Sequence, residues 1–314
     1  MTRALRIGSL AAVCLAFGVV VLGAYVRLSD AGLGCPDWPL CYGRPLPGDI
    51  ADSDALARAW KEMGHRYLAG ALGFLILLLA LWSWRVRRSP WLATSILALV
   101  LVQATLGAWT VTMLLKPAIV TAHLVGGMAI LGLLAWLALE QFSDAPKYET
   151  LRFPAVAALA MLAVQIALGG WVSSNYAALA CPDLPLCLGQ LLPPMDLRNG
   201  FHVLRELGQA PGGELLTREA LTAIHWTHRA SAVVLALIVG WAVYRTWKRS
   251  PPLAIVIGGL LMIQFSLGVA NVAVSRPLPL AAAHNAGAAL LLVALIVLNF
   301  FAFRGVRSAS LPPQ

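Results

Sequence analysis

The chain has 314 residues, of which 60% are hydrophobic and 12% charged, and its mean hydropathy is +0.78. An ordinary soluble domain is roughly a quarter charged, so an aqueous globular fold is excluded, and disorder with it. The net charge of +9 and pI near 9.8 would suit an acidic partner. The 23 Lys and Arg are instead scattered in short groups, which excludes a nucleic-acid-binding face and reads as membrane topology.

A membrane-crossing helix needs about 20 mostly apolar residues. Eight stretches qualify in chain order: 7–26, 66–84, 91–113, 118–139, 153–174, 222–244, 252–274 and 280–303. Arg66 and Arg229 stand at the start of their stretches, where a guanidinium can snorkel to the interface. The expected fold is an all-α integral membrane protein, its eight transmembrane helices forming two parallel tandem four-helix bundles. With the N-terminus cytoplasmic, the short loops on that side carry Arg3, Arg6, Arg85, Arg87, Arg88 and further Lys and Arg at 147–152, 245–249 and 304–307, in excess of Glu140, Asp144 and Glu149. The positive-inside rule then places both termini in the cytoplasm. The first stretch reads as a retained helix, because Tyr25-Val26-Arg27 offers no small-residue cleavage site. Two long loops, 27–61 and 175–221, fall outside. The polar link 140–152 divides an N-terminal half, 1–145, from a C-terminal half, 146–314.

The halves are copies. A shift of 146 residues lays Gly23–Gly43 on Gly169–Gly189 without a gap, with 11 of 21 positions identical. A shift of 163 lays His65-Arg66 on His228-Arg229, and one of 161 lays Gln103, Leu106-Gly107, Ala122-His123 and Gly126 on Gln264, Leu267-Gly268, Ala283-His284 and Gly287. Each half has an even number of spans, so the repeats are parallel rather than inverted.

His65, His123, His228 and His284 each lie near the outer start of an outside-to-inside helix. A single membrane histidine reads as a packing residue or part of a proton relay. Four in register across a duplication favour paired imidazole ligation of haem iron in a bundle interior. Zinc fits less well, since a closed site wants four ligands. His202 has no counterpart and reads as solvated. The segments Cys35–Cys41 and Cys181–Cys187 each place two thiols six residues apart in an exported loop, where a disulfide is the default, structural or redox-active. Cys14 reads as inert packing.

One asymmetry stands out. Glu62 precedes His65 by three residues, whereas His225 stands at that place before His228. Spacing i,i+3 puts Glu62 and His65 on one helix face. There the carboxylate can accept a proton or stabilise a positive charge on a substrate carbon. It reads equally as a charge at a helix N-terminus. Arg66 and Arg229 suit haem propionates as well as they suit snorkelling.

Taken together, Val26-Arg27-Leu28-Ser29, Gly32 through Cys41, Glu62-x-x-His65-Arg66, His123, His228-Arg229 and His284 resemble haem A synthase over nearly the whole chain. The resemblance implies a haem-dependent oxidoreductase of the bacterial cytoplasmic membrane. It would oxidise the methyl on pyrrole carbon eight of haem O to a formyl group through successive hydroxylations, giving haem A for terminal oxidases. It further implies substrate haem between His65 and His123, with Glu62 as the acid of the first motif. Haem B would sit between His228 and His284 as an electron relay, Cys35–Cys41 would form the loop disulfide, and Cys181–Cys187 would match bacterial members with cysteines in both halves. Implied partners are membrane lipid, a contact with haem O synthase, an electron acceptor of unspecified identity and, compatibly, a second copy of the chain. His225 reads as a surface residue at the helix start or as one that approaches the haem. The rival class is a di-haem cytochrome passing electrons between quinone and an outer partner, for which Glu62 would be dispensable. A thiol–disulfide carrier and a transporter are weaker alternatives, the latter because no span pair is broken by Gly and Pro around a buried charge.

Overall fold

The computed structural model describes residues 2–48, 50–142 and 147–303. Asp144, Arg304 and Arg307 of the charge reading, and the 145/146 boundary between halves, lie outside these residues. The described residues contain α1 (Thr2–Leu28), α2 (Ser53–Val86), α3 (Pro90–Thr112), α4 (Pro117–Leu139), α5 (Arg152–Ser174), the short α6 (Leu197–Gly200), α7 (Arg218–Trp247), α8 (Pro251–Ala273) and α9 (Leu278–Phe303). Among them there are no strands, only isolated bridges. All but α6 are long and apolar enough to cross a membrane. In lipid every backbone polar group must be satisfied within its own segment, which leaves the helix as the state of such stretches. Prolines open α3, α4 and α8, where the missing N–H costs nothing.

Two helices are longer than the hydropathy predicts. The stretch beginning at 66 starts at Ser53, and the one beginning at 222 starts at Arg218. The added turns are too polar to register as membrane-spanning. They are capped instead: Asp52 accepts the amide of Asp54, and Thr217 that of Ala220, each satisfying a donor that the first turn leaves open. Consequently Glu62 and His65 lie within the body of α2, and the helix-start reading of Glu62 does not hold.

Within the first repeat α1 packs on α2 and α4, and α3 bridges α2 and α4; within the second, α5 packs on α7 and α9, and α8 bridges α7 and α9. The repeats meet through α4 against α5 and α9, and α1 against α9. The tightest packing is toward the C-terminal ends of α4 and α9, where Leu131, Leu134, Leu291, Leu295 and Leu298 are fully buried. Lipid tails are as apolar as leucine, so this contact gains close packing and not dehydration. Asn299 adds hydrogen bonds to the carbonyls of Ala155 and Leu295, both 2.9 Å. The opposite end is held by contacts between repeat-related positions: Arg27 donates to the carbonyl of Ser173 (2.8 Å) and Tyr176 to Asp30 (3.0 Å), pairs exactly one repeat shift apart that bring the two disulfide loops side by side. Cys14 is exposed on the outside of α1 rather than packed inside.

Candidate active site

Between the dense end and the loops, the bundle opens into a cavity of about 1240 Å³ lined by residues of both repeats, including His65, His123, His228 and His284. Ordinary ligand pockets hold ~300–1,000 Å³, so this one suits a ligand larger than a typical small molecule. Apolar side chains and glycines make most of its wall. The rings of His65 and His123 face each other with centroids 6.4 Å apart and planes at 88°. A metal–imidazole bond is about 2 Å, so the separation would admit one metal ion between the rings. The Nδ1 atoms of His65, His123 and His284 are buried without a hydrogen-bond partner, an arrangement that is costly unless something else engages the ring.

Each histidine rests on a glycine of a neighbouring helix. A Cβ on Gly23 would fall 2.7 Å from His65 Cε1, and one on Gly107, Gly169 or Gly268 would fall 3.3, 3.2 or 3.2 Å from the Cε1 of His123, His228 or His284. Gln103 and Gln264 fill the same kind of notch at Gly126 and Gly287, where a Cβ would meet the amide at 1.9 and 2.4 Å. At Gly23, Gly126 and Gly287 a Cβ would force ring or amide to move, and at Gly107, Gly169 and Gly268 it would crowd the ring.

The disulfide loops roof the cavity and have one design. Both disulfides are formed, with Cα–Cα distances of 4.7 Å for Cys35–Cys41 and 4.6 Å for Cys181–Cys187. Asp37 accepts the amides of Tyr42 (2.7 Å) and Gly43 (2.8 Å), and Asp183 those of Leu188 (2.7 Å) and Gly189 (2.8 Å). The Gly189 amide, aided by that of Leu188, holds the Asp183 carboxyl below the usual carboxylate range. Arg66 donates to the carbonyls of Asp37 (3.0 Å) and Leu40 (2.8 Å), and Arg229 to those of Asp183 (2.8 Å) and Leu186 (3.0 Å). These guanidiniums tie the loops to α2 and α7, a task beyond either sequence reading of them, while both still border the cavity.

Glu62 is 4% exposed, and so is His225. Glu62 Oε2 accepts the amide of Cys35 at 2.8 Å, and His225 Nδ1 accepts that of Cys181 at 3.1 Å. Glu62 also pairs with Arg66. His225 is therefore a buried loop anchor and not a surface residue. His202 is half-buried, with an unpartnered Nδ1, and not fully solvated.

Comparison with known proteins identifies the family. The family model described as "Cytochrome oxidase assembly protein" (COX15-CtaA) matches residues 6–296. A protein of Shewanella oneidensis named "Heme A synthase" is 39% identical, covering 93% of this chain and 94% of its own length. The chain belongs to the haem A synthase family. Relatives of the same name from Halalkalibacterium halodurans and Maricaulis maris are 28% and 27% identical, over 90% and 97% of this chain.

The residues fit the group a haem A synthase works on. The wide apolar cavity and the glycine-cradled imidazoles suit a flat macrocycle whose iron these imidazoles would hold. No group of three or more His, Cys, Asp and Glu converges to hold a bare ion among the described residues. Sequence reasoning missed the glycines under the rings, although Gly23, Gly107, Gly169 and Gly268 all stand in the repeat alignment. It also missed Gln165, whose amide lies 3.2 Å from His228 Nδ1; its signal is a polar residue inside the apolar stretch 153–174.

Proposed function

We propose that this chain is a membrane oxidoreductase that converts haem O to haem A by oxidising the methyl on pyrrole carbon eight to a formyl group. The observation that carries the reading is the facing pair His65 and His123 at 6.4 Å, in one cavity with His228, His284 and the buried carboxylate of Glu62. The N-terminal half, 1–145, takes substrate haem O between His65 and His123. The C-terminal half, 146–314, holds haem B between His228 and His284, where it supplies electron relay. Arg66 and Arg229 border the cavity and can meet carboxylates of the bound groups.

Glu62 is held in place from two sides, by the Cys35 amide and by Arg66. A fixed anion needs no reorganisation when positive charge develops on the substrate's methyl carbon, and among mostly apolar walls its effect is larger than in solution. The same oxygen atoms can accept the proton that the methyl group loses. With water as the oxygen source, conversion of methyl to formyl releases four electrons and four protons; the two half-sites share one cavity, so the electrons would pass to the second half and from there to an outside acceptor.

The positive-inside pattern supports a bacterial cytoplasmic membrane location with both termini inside and the cysteine loops outside. A haem O synthase that hands over the substrate is the natural partner. The test is purification from cells that make haem O, followed by spectra and mass identification of the extracted porphyrins. Haem B together with haem O, its hydroxylated form or haem A is the expected result. Haem B alone when haem O is plentiful would indicate a di-haem cytochrome, and no haem would overturn the reading.

A further inference from the structure

The two repeats differ behind one ligand in each. Gln165 on α5 places its Nε2 3.2 Å from His228 Nδ1 and 3.1 Å from the main-chain oxygen of His228. Ser231, one turn along α7, donates to Gln165 Oε1 and to the carbonyl of His228 (3.0 Å). Applying the shifts of 146 and 163 residues, the places of Gln165 and Ser231 are taken in the first half by Val19 and Leu68. There the ring of His65 lies against Gly23 and beside the backbone of Val19, and among the described residues no side chain hydrogen-bonds its Nδ1. On α4 and α9 the histidines stand beside glutamines at equivalent places: the Gln264 amide lies 3.3 Å from His284 Nε2, and His123 meets the main chain of Gln103.

We propose that Gln165, supported by Ser231, is a positioning residue that makes the His228 half the retentive haem site, and that its replacement by Val19 makes the His65 half the exchangeable one. This rests on the haem reading above. Turning the Gln165 amide over exchanges its oxygen and nitrogen without changing its outline. Oε1 then accepts an Nδ1–H from His228, and Nε2 donates to Ser231 Oγ, whose own proton remains on the His228 carbonyl. The Nδ1–H of His228 and the Ser231 hydroxyl then each have an acceptor, and His228 Nε2 keeps its lone pair for iron. A ligating imidazole held through its second nitrogen is fixed in orientation and tautomer and is a more basic ligand, and losing such a partner costs about 10–100-fold in metal affinity. A cofactor that stays through many turnovers needs that hold. A substrate that enters as one haem and leaves as another is served by its absence.

The test uses the purified holoprotein, challenged with an excess of an apoglobin that captures released haem. In the parent protein the His65 half should empty first. Gln165→Val should weaken haem retention in the other half by about 10–100-fold and raise that haem's midpoint potential, because a less basic ligand favours the oxidised iron less. Gln165→Glu, which keeps an acceptor at the same reach, should restore both properties; a purely structural role would not produce that rescue or move the potential. Val19→Gln should slow haem loss from the first half. If Gln165→Val proves too unstable, Ser231→Ala reads the same effect at reduced size. Parent-like retention and potential in Gln165→Val, or in Ser231→Ala where that variant stands in for it, would overturn the assignment while leaving the haem reading intact. A parent protein that binds no haem would overturn both.

Discussion

Glu62 Oε2 accepts the main-chain amide of Cys35 at 2.8 Å. The equivalent atom in the second repeat, His225 Nδ1, accepts the amide of Cys181 at 3.1 Å. One structural task, anchoring a disulfide loop to a membrane helix, is thus performed by a carboxylate in one half and an imidazole in the other. Anchoring does not require the charge, so the charge is available to explain why the first half differs.

That separation makes Glu62→His more informative than Glu62→Ala. The histidine can still accept the Cys35 amide, as His225 does for Cys181, but supplies no anion beside the substrate. Haem content should stay near that of the parent protein while haem A formation falls by about 10²–10⁴-fold, the range for loss of a positioned acid or base. Extracted porphyrins and loading should be measured on the same preparation. Normal haem A production by this variant would remove Glu62 from the chemistry.

The glycine beneath each histidine ring gives a steric test. A methyl group at Gly23 would sit 2.7 Å from His65 Cε1, a distance that forces the ring or helix to move. Overpacking of this kind costs about 1–3 kcal/mol. Gly23→Ala should shift the spectrum of haem in the first half and reduce its occupancy, whereas Gly18→Ala, with nothing within 4 Å of its Cβ, should leave both unchanged. Equal effects from the two variants would show that helix propensity, and not the ring contact, is responsible.

The eight spans and the paired histidines were legible because lipid leaves the backbone few options and because duplication repeats its signal. His65 and His228 appear at a fixed shift with their arginines attached, which hydropathy cannot obscure. The polar starts of α2 and α7 were not legible as helix, since their residues lack an apolar run and only the caps at Asp52 and Thr217 mark them. Without those turns Glu62 reads equally as a site carboxylate and as a charge at a helix start, and His225 as a surface residue or one that approaches the haem. The duties of Arg66 and Arg229 were hidden for another reason: their partners are main-chain carbonyls some 26 to 46 residues away, and a carbonyl has no signature in sequence.

Acid should loosen the second disulfide loop in a way that depends on Asp183. Its pKa is depressed in the folded protein by the Gly189 and Leu188 amides. The stabilisation is therefore fully present above the unfolded value, about 3.9, and lost as pH falls through the lower folded value. The rate at which a phosphine reduces Cys181–Cys187 should rise below about pH 4 in the parent protein. In Asp183→Asn it should already be high at neutral pH and change less on acidification. A parent profile that is flat in this range would show that the carboxylate does not hold the loop.

Arg66 and Arg229 make similar loop contacts but should differ in what their loss costs. Arg229 bonds the carbonyls of Asp183 and Leu186, so Arg229→Gln removes charge-assisted hydrogen bonds worth about 1.5–3 kcal/mol each. Arg66 makes the matching bonds and also neutralises Glu62, with side-chain exposures of 13% and 6%. Arg66→Gln leaves that buried carboxylate without its cation, a change that costs about 3–5 kcal/mol. Thermal unfolding should rank Arg66→Gln below Arg229→Gln. Introduced into Glu62→His, Arg66→Gln should cost no more than Arg229→Gln does in the parent protein, because the anion it would strand is gone. If the penalty of Arg66→Gln is unchanged in that background, the Glu62–Arg66 pair contributes nothing to stability, and the guanidinium acts on the loop alone.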